Sequence, residues 1–284
     1  MTEKKELENQ SRINQRGYWL KIGLSIRDGL RMHQVTGQMY KDPDSGKRPW
    51  GNVTEHCLVQ VARVETLGRL MGLPEELIAD MRMGAVLHDF SKKQEIEATR
   101  EADREGRSPL AAVKEKQVIS EALMREKGIS NRIIYLANST GGYTPALIET
   151  KRILEKEELT DEDLAYLICH YADDLSIGSD WIVPNRVSRV DITGKRVNII
   201  DDRAEENKAK STYFTIGKEI REELSVRCPE FTGMDHHDVM AVLSHQIERI
   251  LSQTIVQRTG KAIDPLKIPE LVDEGIRQKI EGEQ

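Results

Sequence analysis

The sequence predicts a mainly α-helical fold, and three observations carry that expectation. Apolar residues recur at helical spacing through most of the chain. Hydrophobic residues are 38% and aromatics only 5%, while charged residues reach 32% against a usual ~25%. Only one stretch, near residues 186–201, alternates as strands do. At 284 residues the chain can bury a sizeable core without disulfides or metals to hold it, and its length suggests about two domains. We divide it into an N-terminal helical extension (1–45), a helical core (46–180) and a C-terminal hairpin with extra helices (181–284).

Taken in order, residues 1–15 are charged and read as frayed. A helical pattern from Tyr18 to Met39, with Leu20, Leu24 and Leu30 among its apolar positions, stops at the turn cluster Asp42-Pro43-Asp44-Ser45-Gly46. Thr54 is placed to cap the next helix, in which Leu58, Val61, Ala62, Leu70 and Met71 keep helical spacing. Gly72-Leu73-Pro74 ends it, and Pro74-Glu75-Glu76 opens another, with proline and acidic residues at the dipole's positive end. That helix, Leu77 to Leu87, is apolar all round, which implies a central buried position. Residues 95–107 alternate in charge sign and read as a solvated face. Helices follow over 110–126, closed by Gly128, over 131–138, over 145–156, and from the Thr160 cap through Leu175. Arg186–Asp191 and Lys195–Asp201 read as a β-hairpin around Thr193-Gly194, and helices near 211–227, 236–258 and 266–280 complete the chain.

Net charge is −6 with no dominant basic stripe, so phosphate-neutralising nucleic-acid binding is a poor expectation. Cys57, Cys169 and Cys228 are far apart and lack CxxC spacing, which excludes a disulfide framework and suits a reducing cytoplasm. No apolar run reaches the ~18 residues of a membrane helix, and no signal peptide is expected. The composition is compatible with a homo-oligomer.

Two His-Asp doublets occur, His88-Asp89 and His237-Asp238, so a bare doublet says little. Context separates them. His88-Asp89 closes the most apolar helix, where an imidazole and a carboxylate are costly to bury unless something pairs with them, and a divalent cation would do so. His237-Asp238 follows Gly233-Met234-Asp235 at what reads as an exposed helix start, where capping suffices. His56 lies 32 positions before His88, so two helices folded antiparallel through the Gly72–Pro74 turn bring the two imidazoles side by side. Downstream, Cys169-His170-Tyr171-Ala172-Asp173-Asp174-Leu175 puts His170 on one helical face with Asp173 and Asp174.

An upstream histidine, an apolar helix ending in Leu87-His88-Asp89-Phe90-Ser91-Lys92, and a later Ala172-Asp173-Asp174-Leu175 resemble the HD-domain metal-dependent phosphohydrolases, whose signature is H…HD…D on a helical bundle. The resemblance spans about residues 50–180. It implies His56, His88, Asp89 and Asp173 as metal ligands, with Asp174 the alternative to Asp173, and Lys92 as a cation beside the reacting phosphate. Family members with two metals usually carry extra histidines between the doublet and the last aspartate. Here that helix end reads Ala137-Asn138-Ser139-Thr140, which favours one metal, His170 then orienting the site as a core histidine or adding an unusual ligand.

Nitrogen and oxygen donors without thiolate suit Mn²⁺, Fe²⁺, Co²⁺, Ni²⁺ or Zn²⁺. Such an ion lowers the pKa of its water toward ~7 and polarises a phosphoryl oxygen, and Asp89 is placed to orient that water. Arg63 lies two turns from His56 and Arg82 two turns before Asp89; either is a substrate cation or half of a surface ion pair. Tyr18-Trp19 reads as core packing sooner than as a base-stacking pair, Ser139-Thr140-Gly141-Gly142 as a plain connection sooner than as a phosphate nest, and Cys57 and Cys169 as small buried packers. The functional expectation is metal-assisted hydrolysis of a phosphate ester, of a nucleotide or related small molecule. The alternatives are a non-catalytic nucleotide-binding sensor and a di-iron oxygenase on the same scaffold.

Overall fold

The computed structural model describes residues 26–39, 51–141, 143–175, 189–190, 196–197 and 214–281. Among these, α1 spans Arg27–Val35, α2 Gly51–Leu70, α3 Glu75–Leu87, α4 Lys92–Arg104, α5 Pro109–Glu126, α6 Asn131–Ala137, α7 Thr144–Leu154 and α8 Asp161–Asp174. After them come α9 Phe214–Arg227, α10 His236–Thr259 and α11 Ile268–Glu281, with single 3-10 turns at Pro229–Phe231 and Pro265–Lys267. The chain is therefore mostly helical. Two short strands, β1 Arg189–Val190 and β2 Arg196–Val197, pair antiparallel, Arg189 opposite Val197. The rest of the expected hairpin lies outside the described residues, as do Tyr18-Trp19, the 42–46 turn and Gly142.

Some helix starts fall where the sequence supplies a capping side chain. Ser108 accepts a bond from the Ala111 amide at 3.0 Å with Pro109 in the first turn, and Ser130 accepts from Ile133. Thr160 and Asp163 form a reciprocal capping box at the head of α8. Thr54 departs from expectation. The helix already includes Gly51, and the Thr54 hydroxyl bonds the ring of His33 at 3.1 Å instead of capping its own helix. Between α2 and α3, Gly72 takes φ +64°, a left-handed conformation costly to any other residue, and lets two helices fold back within four residues.

α3 is the central helix, as its all-round apolarity requires: Leu77, Ile78, Met81 and Gly84 to Leu87 are buried. It packs most extensively on α2 and then on α6 and α8. The main core joins Val61, Val64 and Leu67 of α2, Ile78, Met81 and Val86 of α3, and Leu164, Leu167 and Ile168 of α8. Ile247, Leu251 and Ile255 of α10 and Ile268 and Val272 of α11 belong to that same core, so the segment expected as a C-terminal extension is built into the bundle. The N-terminal turns of α10, through Val239, Met240 and Leu243, close a second cluster with α5, α7 and α9.

A close approach fixes α1. A Cβ on Gly29 would stand 2.2 Å from Val86 Cγ1, so only glycine lets α1 lie this near the end of α3.

Candidate metal centre

Three helices converge on one point. His56 comes from the second turn of α2, His88 is the C-cap of α3, and Asp173 is the penultimate residue of α8. Antiparallel packing of α2 and α3 brings His56 Nε2 to 3.0 Å from His88 Nε2. Asp173 Oδ1 is 2.9 Å from His56 Nε2 and 3.7 Å from His88 Nε2, and Asp89 Oδ2 is 3.8 Å from His88 Nε2. Nitrogen and oxygen ligands sit about 2.0–2.2 Å from a transition ion, which spaces neighbouring ligand atoms roughly 3.0–3.6 Å apart. His56, His88 and Asp173, at 2.9–3.7 Å, come close to that spacing and form a group able to hold an ion, whereas Asp89 lies at its edge, 3.8 Å from His88 and outside the group.

Local bonds orient the set. His88 Nδ1 donates to the Ala85 carbonyl at 2.7 Å, so in the neutral ring Nε2 carries the lone pair that faces the group. Asp173 turns toward His56, whereas Asp174 points away, accepting from the Ser244 hydroxyl and lying 3.8 Å from His170 Nε2. His170 is fully buried and donates from Nδ1 to the Ser139 carbonyl at 2.6 Å, which places it behind the group.

The electrostatics favour the ionised forms of both signs here. Burial works against charging the His88 ring, yet Cys57, Asp89 and Asp173 outweigh it and raise its pKa to about 10. Burial pushes the Cys57 thiol up, and His88 and His33 more than reverse that, to about 6. Burial also opposes ionisation of Asp89, but Lys92, then His88 and His56, hold its carboxyl below the usual range. The shifts describe opposite charges that stabilise one another, the His88 ring against the Cys57 thiolate and the Asp89 and Asp173 carboxylates.

The cations differ in placement. Lys92 Nζ lies 3.4 Å from Asp89 Oδ1 and 5.7 Å from the centre of the Tyr143 ring. Lys92 and Asp89 are the more open members, at 22% and 20% side-chain exposure against 1% for His88, so the group is reached from their side. Arg63 is no surface residue: it is buried and donates from Nη1 to the Ala172 carbonyl at 3.3 Å, next to Asp173. Arg82 lies 3.6 Å from Glu65, which is nine residues along α2 from His56.

Sequence reasoning missed the support that α1 gives to the His88-Asp89 turn. His33 Nε2 donates to the Val86 carbonyl at 2.7 Å, and its Nδ1 accepts from Thr54 at 3.1 Å and from Gln38 at 2.9 Å. Thr36 donates to the Phe90 carbonyl, and Gln38 Oε1 accepts from the Lys93 amide at 3.0 Å. Cys57, expected as a small buried packer, sits among His33 and His88. Glu95 was also missed. It is buried, accepts from Ser91 at 2.9 Å, and has its pKa raised by burial, with Asp89 adding to the effect. A buried face of α1 ending in His33, and a glutamate inside an otherwise solvated helix, were the available signals.

A second group, Asp235, His236 and His237, stands at the start of α10. Asp235 is the helix cap, bonded to the His237 amide at 3.0 Å and to Arg221 at 3.1 Å. Arginine and the positive helix end both oppose a cation there. His237-Asp238 thus belongs to a capped, half-buried helix start.

Among the described residues no helix is long and apolar enough to cross a membrane. The chain matches no protein-family model, no curated protein and no solved structure.

Proposed function

We propose that this protein is a metal-dependent phosphohydrolase of the HD-domain type, acting in the cytoplasm on a phosphate ester of a nucleotide or related small molecule. The observation that carries the proposal is the convergence of His56, His88 and Asp173 from three helices, with Asp89 on its flank and Lys92 beyond it. A divalent transition ion bound there would supply an acidified water and polarise a phosphoryl oxygen.

The chain's own residues divide the remaining work. His56, His88 and Asp173 hold the ion with Asp89 as the fourth ligand from the flank, and the Ala85 carbonyl fixes which nitrogen of His88 takes part. Asp89, with one oxygen toward His88 and the other toward Lys92, accepts a hydrogen bond from the attacking water and aims it. Lys92, at the open edge, offsets the negative charge that grows on the phosphoryl oxygens.

The test is metal content per chain, by elemental analysis, for the protein and for Asp89→Ala prepared without chelators, followed by phosphate release across mono-, tri- and cyclic nucleotides with Mn²⁺. About one transition ion per chain, depleted in the variant, together with turnover, is the expected result. Two ions per chain would favour oxygen activation. Saturable nucleotide binding without phosphate release would favour a sensor. No metal in either protein, even after incubation with Mn²⁺, would overturn the proposal.

A further inference from the structure

Asp173 sits in a row of residues that are each tied to another element of the fold. His170 donates to the Ser139 carbonyl at 2.6 Å, Tyr171 donates its hydroxyl to Glu248 Oε1 at 2.8 Å, the Ala172 carbonyl accepts from Arg63, and Asp174 accepts from Ser244. Two of these anchors, Ser244 and Glu248, lie one turn apart on α10. Ser244, Glu248 and Asp174 are exposed by no more than 2%.

Adhesion does not need them. Ile247 and Leu251 already pack α10 into the core that holds Leu167, Ile168 and Tyr171 of α8. Burying two carboxylates is costly, and an apolar pair of the same volume would serve cohesion as well or better. Hydrogen bonds differ from apolar packing in being directional, so they fix how a helix is turned about its own axis. That angle matters for Asp173. A carboxylate about 6 Å from the helix axis moves roughly 1.6 Å when the helix rolls by about 15°, whereas a ligand set tolerates about 0.5 Å.

We propose that Ser244 and Glu248 of α10, acting on Asp174 and Tyr171, are positioning residues that set the roll of α8 and so deliver Asp173 to His56 and His88. The segment 214–281 is then a working part of the metal centre. This inference rests on the metal-centre reading above. It assigns to the C-terminal helices a role in metal affinity that is separate from their role in stability.

The experiment is titration of the full chain with Mn²⁺ alone, with the unfolding temperature of each variant measured alongside. Ser244→Ala and Tyr171→Phe should each weaken Mn²⁺ binding by 10-fold or more, within the usual range for residues that orient ligands. Asp174→Asn, which keeps an acceptor for Ser244, should weaken it less than 3-fold. Ser252→Ala is the control, because its hydroxyl lies on the same helix but bonds the Ile263 carbonyl, away from α8. It should lower the unfolding temperature without changing Mn²⁺ affinity. Unchanged affinity in Ser244→Ala and Tyr171→Phe overturns the inference while leaving the metal centre standing. Equal weakening in Ser252→Ala at the same loss of stability, or in Asp174→Asn, also overturns it. Failure of the unsubstituted protein to bind Mn²⁺ removes the metal centre itself, and this inference with it.

Discussion

His56 and His88, 32 residues apart, face each other Nε2 to Nε2 at 3.0 Å, while His88 Nδ1 donates to the carbonyl of Ala85. That donation decides the chemistry of the contact. A neutral His88 has one ring hydrogen and it is spent on Ala85, so its Nε2 offers a lone pair toward His56 and Asp173. We expect ¹⁵N spectra of the metal-free protein above about pH 10, where the His88 ring is neutral, to show an unprotonated Nε2. On addition of Zn²⁺, that nitrogen should shift and Nδ1 should keep its proton. A shift at Nδ1 would contradict the arrangement.

Gly29 makes the support of this turn possible, because a methyl group there meets Val86 at 2.2 Å. Gly29→Ala must push α1 away from α3 or distort Val86, at about 1–3 kcal/mol by the usual cost of overpacking. The displacement also pulls His33 from the Val86 carbonyl and Thr36 from the Phe90 carbonyl, the contacts on either side of His88-Asp89. Chemical denaturation should show the loss of stability, and metal titration should show weaker binding in the same variant. Normal metal affinity would mean that the turn holds its shape without α1.

The parts of this fold that were readable in the sequence are those set by local chemistry. Pro74-Glu75-Glu76, Ser108-Pro109 and Thr160 with Asp163 mark helix starts whatever surrounds them, and the apolar ring of α3 can be satisfied only in the interior. The juxtaposition of His56 with His88 followed from helix spacing and a short turn. Choosing Asp173 over Asp174 did not, because both lie on the inner side of α8. What separates them is Ser244, 70 residues later, which draws Asp174 away. Thr54 carried a capping signature but was overruled by the His33 ring, and Cys57 acquired its histidine neighbours only through tertiary packing.

The interleaving of α10 and α11 with the main core predicts the behaviour of a shortened chain. Ile247, Leu251, Ile255, Ile268 and Val272 are all buried in the core they share with residues of α2, α3 and α8. Each such side chain contributes roughly 1.5–3 kcal/mol, and a whole domain is stable by only about 5–15 kcal/mol. A chain ending at residue 180 should therefore lack a cooperative thermal transition and bind hydrophobic dyes. A sharp transition near that of the full chain would instead make 181–284 a separable unit.

Asp163 ties stability to pH. Its carboxylate accepts from the Thr160 amide at 3.0 Å and hydroxyl at 2.9 Å, and pairs with Lys156 at 2.6 Å. Burial would raise its pKa, but Lys156 and the Thr160 donors outweigh burial and hold it below the usual range. The unfolded carboxyl thus takes up its proton first as pH falls. The stabilisation is complete above the ordinary value near ~4 and is lost as pH drops through the folded value. Asp163→Asn should cost about 1 kcal/mol at pH 7, and the gap should narrow in urea unfolding at pH 3. A gap independent of pH would place the effect in packing.

Lys92 and Lys93 are adjacent, yet the fold gives them opposite tasks. Lys92 reaches Asp89 at the open edge of the centre, while Lys93 turns toward α1, its amide on Gln38 and its ammonium over Gly37. Lys92 is not among the residues proposed to hold an ion, so Lys92→Ala should leave metal content unchanged. Removing a cation aimed at developing charge costs about 10²–10³ in rate, and phosphate release should fall by that much. Lys93→Ala should stay within about 3-fold of the unsubstituted rate, because it alters a contact to α1 and no charge at the edge. Lys92→Arg keeps the charge but replaces a compact ammonium with a planar fork, so it should recover part of the rate. Should Lys92→Ala lose its metal as well, the lysine would act through Asp89, holding that carboxylate against His88 instead of meeting the phosphate.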